Sequence, residues 1–155
     1  MLLLLTGCDE KKEQGMNSND LKLNQIQVIG SHNSYRIHPV QDMFNLMTGL
    51  NPELAAELDY GHPSFDVQFS QHGIRQIEID VYHDPEGGLF YNQRGNLFIG
   101  LPVPSGIEEL LDPGLKVLHF PDIDYRTHYL TFIDALTAVK AWSDANPNHI
   151  PIFIL

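Results

Sequence analysis

Acidic and aliphatic residues alternate in a short stretch near the middle of the chain. From Ile77 to Val81 the sequence reads IEIDV, and this two-residue period is typical of a β-strand. Glu78 and Asp80 then lie on one face, with the aliphatic side chains on the other. Two carboxylates on an interior face repel each other and lose hydration, so they need a cation, a proton or an arginine between them. A hard divalent cation such as Ca²⁺ is the simplest partner, because it prefers oxygen ligands. A strand with both acids facing solvent explains the same pattern.

Two histidines lie where they are able to perform acid–base chemistry. His32 and Asn33 follow a predicted strand over residues 25–30, and His119 ends a predicted strand over residues 115–119. Histidine accepts or donates a proton near neutral pH, and the amide oxygen of asparagine is a ligand for hard cations. In a parallel α/β fold the carboxyl ends of the strands share one rim, so we expect both histidines beside the acidic pair. Two histidines flanking a metal suit phosphoryl transfer, although a lone histidine after a strand is more often structural.

Other polar residues carry weaker signals. Asp122 and Asp124 follow His119 and either orient a histidine, hold a loop or cap the next helical segment. Arg75 precedes the acidic strand and either neutralises a phosphate or pairs with an acid. The six remaining histidines have no readable partner, and we assign them to surface or loop positions: His38, His62, His72, His83, His128 and His149.

The elements that must position these residues alternate along the chain. Four short segments rich in β-branched residues or leucine predict strands, at residues 25–30, 76–81, 115–119 and 150–155. Helices are predicted from Asn51 onward, over residues 64–71 and over residues 131–146. Strands that alternate with helices predict βαβ crossovers and a parallel sheet, so the fold class is α/β.

Composition excludes several classes of protein. Of the 155 residues, 20 are Asp or Glu and 9 are Lys or Arg, which gives a net charge of −11. This charge argues against a protein that binds nucleic acid through its phosphates. The single cysteine, Cys8, excludes an internal disulfide framework and a cysteine-based zinc cluster. No segment reaches the roughly 20 apolar residues of a transmembrane helix.

The N-terminal residues differ from the rest of the chain. Residues 5–8 (LTGC) resemble the lipobox of bacterial lipoproteins, in which the cysteine is lipidated after cleavage. We interpret residues 1–8 as part of a signal peptide and the polar residues 9–24 as a flexible tether. These features predict a protein of the bacterial cell envelope, either anchored to a membrane surface through a lipid on Cys8 or secreted. A chance run of leucines with one buried cysteine is the alternative.

Three motifs occur in a fixed order along the chain: GSHNSY at residues 30–35, GIRQIEIDVY at 73–82 and KVLH at 116–119. Together they resemble the X region of phosphatidylinositol-specific phospholipases C. The closer resemblance is to the calcium-dependent phosphoinositide phospholipase C group of bacteria and fungi. Four further segments also resemble sequences typical of that group: 58–62, 81–88, 119–125 and 142–155. The resemblance covers about residues 25–155.

The resemblance implies a distorted TIM barrel and a phosphodiesterase. His32 matches the catalytic histidine that helps to deprotonate the inositol 2-hydroxyl, and His119 matches the one that protonates the diacylglycerol leaving group. Asn33, Glu78 and Asp80 match calcium ligands, and the bound Ca²⁺ stabilises the charge of the phosphorane. The implied partner is a phosphoinositide or a related phosphodiester lipid, which a phosphoric diester hydrolase of this type cleaves at the glycerol–phosphate bond.

The extent of the barrel is a further expectation. A TIM barrel has eight β/α units, and this chain has strands for the first four. The last strand, 150–155, is almost entirely apolar and has no following helix to cover it. We therefore interpret residues 25–155 as the N-terminal half of the catalytic barrel and expect the 155-residue chain by itself to be inactive and poorly folded. The family normally supplies one more acidic calcium ligand just after the fourth strand.

Two alternatives to a phospholipase C remain open. A glycerophosphodiester phosphodiesterase is also a metal-dependent barrel with a Glu-x-Asp strand, but that family prefers His-Arg where this chain has His32 and Asn33. A non-catalytic lipoprotein module, which uses the barrel only to bind a partner, belongs to a different class. The presence of His119, Glu78 and Asp80 together favours the enzyme.

Overall fold

A computed structural model describes residues 21–155, and this part of the chain folds into four α-helices and five short β-strands. The strands are β1 (Gly30–Ser31), β2 (Gln76–Ile77), β3 (Val81–Asp84), β4 (Gly114–Val117) and β5 (Phe153–Ile154). The helices are α1 (Gln41–Leu50), α2 (Pro52–Glu57), α3 (Phe65–Ser70) and α4 (Phe132–Ala145). Short 3-10 helices occupy Leu23–Gln25, Arg94–Ile99 and Glu108–Leu111.

Most of the features predicted for the N-terminus lie outside residues 21–155. The predicted signal segment 1–8, with Cys8, and residues 9–20 of the predicted tether lie outside the described residues. Within residues 21–155, no helix has the length and apolar character needed to cross a membrane.

Parts of three of the four predicted strands meet in a parallel sheet of order β1-β2-β5, since β1 shares only Gly30 with the predicted strand 25–30 and β5 covers two residues of 150–155. Gly30 pairs with Gln76 on one side of β2, and Gln76 pairs with Phe153 on the other. The connection from β1 to β2 contains α1, α2 and α3, and α4 precedes β5, as expected for parallel strands joined by helical crossovers. The carboxyl ends of these strands therefore point in one direction, toward the loop that carries His32.

The third predicted strand does not join this sheet, and that part of the prediction is wrong. β4 pairs antiparallel with β3, with Val81 opposite Val117 and Asp84 opposite Gly114. The reason is that the chain runs on from β2 through residues 78–80 into a second strand, β3, which returns to β4 through a long loop. An antiparallel pair needs no helical crossover between its strands, so this local ribbon replaces the expected parallel neighbour.

Helices α2 and α4 begin where local capping signals place them. Asn51 caps α2 by accepting a hydrogen bond from the Leu54 N–H at 3.1 Å. α4 begins with a capping box, in which Thr131 accepts from the N–H of Asp134 and the Asp134 carboxylate accepts from the N–H of Thr131. Both helices, and α3, confirm their predictions, whereas α1 was not predicted.

The main core lies between the parallel sheet and helices α3 and α4. Phe69 packs against Trp142 with ring centroids 5.0 Å apart, which joins the two helices. Ile77 and Ile79 are buried in this cluster, as the alternation predicts, but Val81 is 44% exposed because it has already entered the β3–β4 ribbon. The side of the sheet on which Ile77 and Ile79 lie is thereby fixed, and the neighbouring acids Glu78 and Asp80 are only partly buried.

Candidate active site

The loop after β1 is bonded directly to the acidic stretch after β2. The N–H of Ser34 donates to the carbonyl of Glu78 at 3.1 Å, and the N–H of Glu78 donates to Oγ of Ser34 at 2.9 Å. Asn33 makes the required turn with a φ of 48°, a left-handed conformation that asparagine tolerates better than most residues. As a result, Nε2 of His32 lies 3.7 Å from Oε1 of Glu78, with the imidazole 70% exposed.

A buried tyrosine fixes the second acid. Tyr35 is fully buried in the main core, and its hydroxyl donates to Oδ2 of Asp80 at 3.0 Å. Burial, and then the neighbouring carboxylate of Asp80, raise the pKa of Tyr35 far above its usual value. The hydroxyl therefore stays protonated and keeps donating, which holds the Asp80 carboxylate in one orientation.

Asn33 supplies an oxygen that the described residues leave without a partner. The side chain is 1% exposed; Nδ2 donates to the hydroxyl of Tyr60 at 2.9 Å, and Oδ1 is buried without a hydrogen bond in the described part of the chain. A buried acceptor with no donor is costly in a protein, and a cation is one way to satisfy it. Within residues 21–155 no group of three His, Cys, Asp or Glu side chains forms a metal site. The donor set that fits a hard cation is instead the amide oxygen of Asn33 with the carboxylates of Glu78 and Asp80.

The second histidine is held by a buried ion pair. Nδ1 of His119 donates to Oδ2 of Asp124 at 2.7 Å, and the same oxygen accepts from Nε of Arg36 at 2.5 Å. Arg36 and Asp124 have fully buried side chains, whereas the imidazole of His119 is 14% exposed. Because a carboxylate oxygen only accepts, Nδ1 carries a proton and Nε2 is the nitrogen left to exchange a proton with another group.

Tyr82 connects the second histidine to the acidic stretch. Its hydroxyl donates to the carbonyl of His119 at 2.7 Å. Burial and the nearby charge of Asp80 raise the pKa of Tyr82, so this tyrosine lies within the field of that carboxylate. The structure thus brings His32 and Glu78 into contact, and it links His119 to the same site through intermediate side chains.

The structure decides the three weaker predictions. Asp124 orients His119, which is one of the three roles predicted for it. Oδ1 of Asp122 accepts from the N–H of Arg94 and caps a preceding 3-10 helix, not the following segment. Arg75 donates to the carbonyls of Phe69 and Ile74 and lies over the ring of Trp142, so among the described residues it has no acidic partner.

Sequence reasoning missed two residues beside His32. The hydroxyl of Tyr60 lies 3.2 Å from Nδ1 of His32, and Nε2 of His62 donates to the carbonyl of His32 at 2.8 Å. His62 lies in a loop, as predicted, and its hydrogen bond to His32 is the partner that its sequence context did not reveal. Both residues line an open cavity of about 460 Å³ beside His32. The sequence Tyr60-Gly61-His62 shows no periodicity that relates it to His32, about 30 residues earlier. Its polar aromatic composition is its only sign of a functional role.

The arrangement combines an exposed imidazole, an oxygen cluster and a second imidazole held by a carboxylate. Such a set can accept one proton, hold a hard cation and donate another proton, as in the cleavage of a phosphodiester. The family model described as phosphoinositide phospholipase C, Ca²⁺-dependent, matches residues 21–155. Searches among curated proteins and solved structures give no match. Because the family model covers 21–155 with all five candidate residues inside it, the chain belongs to the calcium-dependent phosphoinositide phospholipase C family.

Proposed function

We propose that the protein is a phospholipase C that cleaves the glycerol–phosphate bond of a phosphoinositide or a related phosphodiester lipid. The observation that carries the proposal is the contact between Nε2 of His32 and Oε1 of Glu78 at 3.7 Å, beside Asn33, whose buried Oδ1 has no hydrogen-bond partner among residues 21–155. A proton acceptor and a hard-cation ligand set are thereby adjacent, as a reaction at a phosphate group requires.

Three side chains of the chain are suited to hold calcium. Oδ1 of Asn33 and the carboxylates of Glu78 and Asp80 supply oxygen donors, and the Tyr35 hydroxyl orients the last of them. A bound calcium ion supplies electrostatic stabilisation of the charge that develops on the phosphate. In its absence, the two carboxylates have no basic side chain paired with them in the described part of the chain apart from His32.

The two histidines take opposite roles in proton transfer. His32 accepts the proton of the attacking hydroxyl while the oxygen–phosphorus bond forms. His119 donates a proton from Nε2 to the glycerol oxygen while the phosphorus–oxygen bond breaks, because its Nδ1 is held by Asp124. The exposure of His32 allows a lipid headgroup to reach it directly from solvent.

We also propose that β1, β2 and β5 are strands of a TIM-like barrel. The parallel register of these strands and the helical connections between them support this proposal. The acids and His32 follow the carboxyl ends of β2 and β1, which is where barrels of this kind carry their active sites.

The proposal is tested by assaying the full-length protein on phosphatidylinositol vesicles with calcium or with a calcium chelator. We expect release of a water-soluble inositol phosphate that the chelator abolishes and added Ca²⁺ restores. Glycerophosphoinositol and glycerophosphocholine, as parallel substrates, identify a glycerophosphodiesterase. Turnover that ignores the chelator, turnover of the glycerophosphodiesters alone, or no turnover of any phosphodiester by folded protein contradicts the proposal.

A further inference from the structure

One tyrosine hydroxyl contacts both a proposed base and a proposed calcium ligand. Oη of Tyr60 lies 3.2 Å from Nδ1 of His32 and 2.9 Å from Nδ2 of Asn33. Tyr60 precedes α3 and is 27 residues from Asn33 in sequence, so this contact is created by the fold.

The ring of Tyr60 is itself fixed by a buried cation. The guanidinium of Arg36 lies over the ring, 4.4 Å from its centroid, and Nη1 of Arg36 donates to the carbonyl of Tyr60. The same arginine donates through Nε to Asp124, the partner of His119. One buried side chain therefore anchors the group beside each of the two histidines.

The hydroxyl of Tyr60 favours one orientation of the Asn33 amide, because its proton is placed to bond to Nδ1 of His32 and its oxygen is left to accept. Because Nδ2 donates to the tyrosine hydroxyl, Oδ1 lies on the other side of the carboxamide, where it is buried and receives no hydrogen bond from the part of the chain that the structure describes. A flipped amide would place the N–H₂ donors where a cation needs an oxygen. With a phenylalanine ring at position 60, nothing in this contact distinguishes the two orientations.

The same hydroxyl also restricts the imidazole of His32. Oη accepts from Nδ2 of Asn33 and lies 3.2 Å from Nδ1 of His32, so its own proton is placed to bond to that nitrogen. This contact holds the ring with Nε2 toward Glu78.

We propose that Tyr60 is a positioning residue, which holds the amide of Asn33 for calcium binding and the imidazole of His32 for proton transfer. The inference rests on the proposed function and assigns that site an additional residue. Removal of the Tyr60 hydroxyl should therefore weaken both calcium binding and catalysis, although Tyr60 is neither a proposed calcium ligand nor a proposed proton-transfer group.

The test compares Tyr60→Phe with Tyr125→Phe in the full-length protein. The hydroxyl of Tyr125 donates to Asn96 at 3.0 Å, away from the site, so its removal controls for the loss of a tyrosine hydroxyl. For Tyr60→Phe we expect calcium affinity, measured by titration calorimetry, to fall by about tenfold, and kcat on phosphatidylinositol to fall by about 10- to 100-fold with little change in KM. In protein labelled with ¹⁵N-histidine, the Nδ1 signal of His32 at one fixed alkaline pH should move in Tyr60→Phe and stay in Tyr125→Phe.

A second background separates orientation of the amide from general damage. In Asn33→Asp protein both side-chain oxygens are acceptors, so no amide needs to be oriented. There we expect Tyr60→Phe to change calcium affinity by less than about twofold, a non-additivity that a double-mutant cycle measures directly. An equal loss in both backgrounds, or wild-type calcium affinity and an unmoved His32 signal in Tyr60→Phe, overturns the inference.

Different results contradict the role of Tyr60 and the proposed function. Active wild-type protein with an unaffected Tyr60→Phe variant contradicts only the role of Tyr60. Wild-type protein that neither binds calcium nor cleaves phosphodiesters contradicts the proposed function and the part of the inference that concerns Asn33. The ¹⁵N signal of His32 then decides whether Tyr60 orients the imidazole.

Discussion

Nδ1 of His119 donates a 2.7 Å hydrogen bond to Oδ2 of Asp124, a carboxylate with no exposed surface. The same carboxylate oxygen binds Nε of Arg36, so the histidine is attached to a buried ion pair and not to a mobile surface acid. Breaking a buried pair by removing one charge is strongly destabilising, because the remaining charge has lost both its partner and its water. The position of His119 and the stability of the fold therefore both depend on Oδ2 of Asp124.

Neutralising Asp124 should damage both properties. In Asp124→Asn we expect the free energy of unfolding, measured in urea, to fall by about 3–5 kcal/mol, because the buried guanidinium of Arg36 loses its counter-charge. Asp122→Asn is the matched control: Asp122 is exposed and caps Arg94 through an oxygen that asparagine retains, so its loss should stay below about 1 kcal/mol. Equal stability of both variants contradicts a buried charge pair.

The proton-transfer roles of the two histidines predict different responses to the leaving group. With phosphatidylinositol, His119→Gln and His32→Gln should each lower kcat by about 10²- to 10⁴-fold. With nitrophenyl inositol phosphate, whose leaving group needs no proton, His119→Gln should recover most of the wild-type rate and His32→Gln should not. Rates on both substrates give the answer, and recovery by His32→Gln in place of His119→Gln reverses the assignment.

The acidic pair predicts a gain of stability from calcium. Because a ligand that binds only the folded state stabilises it, millimolar Ca²⁺ should raise the melting temperature of the wild-type protein, whereas Glu78→Gln and Asp80→Asn should show at least a tenfold weaker calcium response. Without calcium the two variants should be no less stable than wild type, since each removes repulsion between neighbouring carboxylates. Glu86→Gln changes an exposed acid in a turn and should respond as wild type does. A calcium response that survives both substitutions at the acidic pair contradicts the ligand set.

Local patterns of the sequence predicted the parts of the site that local geometry determines. The period of two at Glu78 and Asp80 reports which side of a strand each residue faces, and the burial of Ile77 and Ile79 agrees with it. The helix caps at Asn51 and Thr131 are likewise properties of three or four consecutive residues. These features were predictable because no distant part of the chain is needed to form them.

Contacts between distant segments explain what the sequence did not reveal. Arg36 reaches Asp124 across 88 residues, and Tyr60 reaches His32 across 28. No periodicity relates such positions, so the buried ion pair and the hydroxyl beside His32 appear only in the folded chain. The third strand was misassigned for the same reason, because its antiparallel partner, β3, is a continuation of the acidic stretch beyond Asp80.

The burial of His62 predicts a loss of stability in acid. Burial first, and then the charges of Arg36, His32 and His128, lower the pKa of His62 below 6.5, although its bond to the His32 carbonyl acts in the opposite direction. The unfolded chain therefore binds this proton more readily than the folded protein does. The contribution of His62 is fully present above about pH 6.5 and is lost as the pH falls through the lower folded value.

A glutamine at this position isolates that titration. His62→Gln keeps an N–H donor for the carbonyl of His32 but cannot be protonated, so its unfolding free energy should fall less than that of wild type between pH 7.5 and 5.5. The control is His72→Gln, since His72 is exposed. Denaturant unfolding at each pH measures the difference, and parallel curves for His62→Gln and wild type contradict the prediction.

Gly61 lies between Tyr60 and His62, and the backbone of His38 limits the space beside it. A Cβ atom on Gly61 would lie 2.6 Å from the backbone nitrogen of His38, and backbone at this distance must move to make room. We expect Gly61→Ala to lower the free energy of unfolding by about 1–3 kcal/mol and to weaken calcium binding, because the displaced loop carries Tyr60. Gly49→Ala is the opposite control: this glycine lies in α1 with nothing within 4 Å of the added methyl group, so the same substitution should stabilise the protein by about 0.5–1 kcal/mol. Chemical denaturation and calcium titration of both variants test the pair, and a Gly61→Ala protein with wild-type stability and calcium affinity shows that the loop accommodates the methyl group without moving the site.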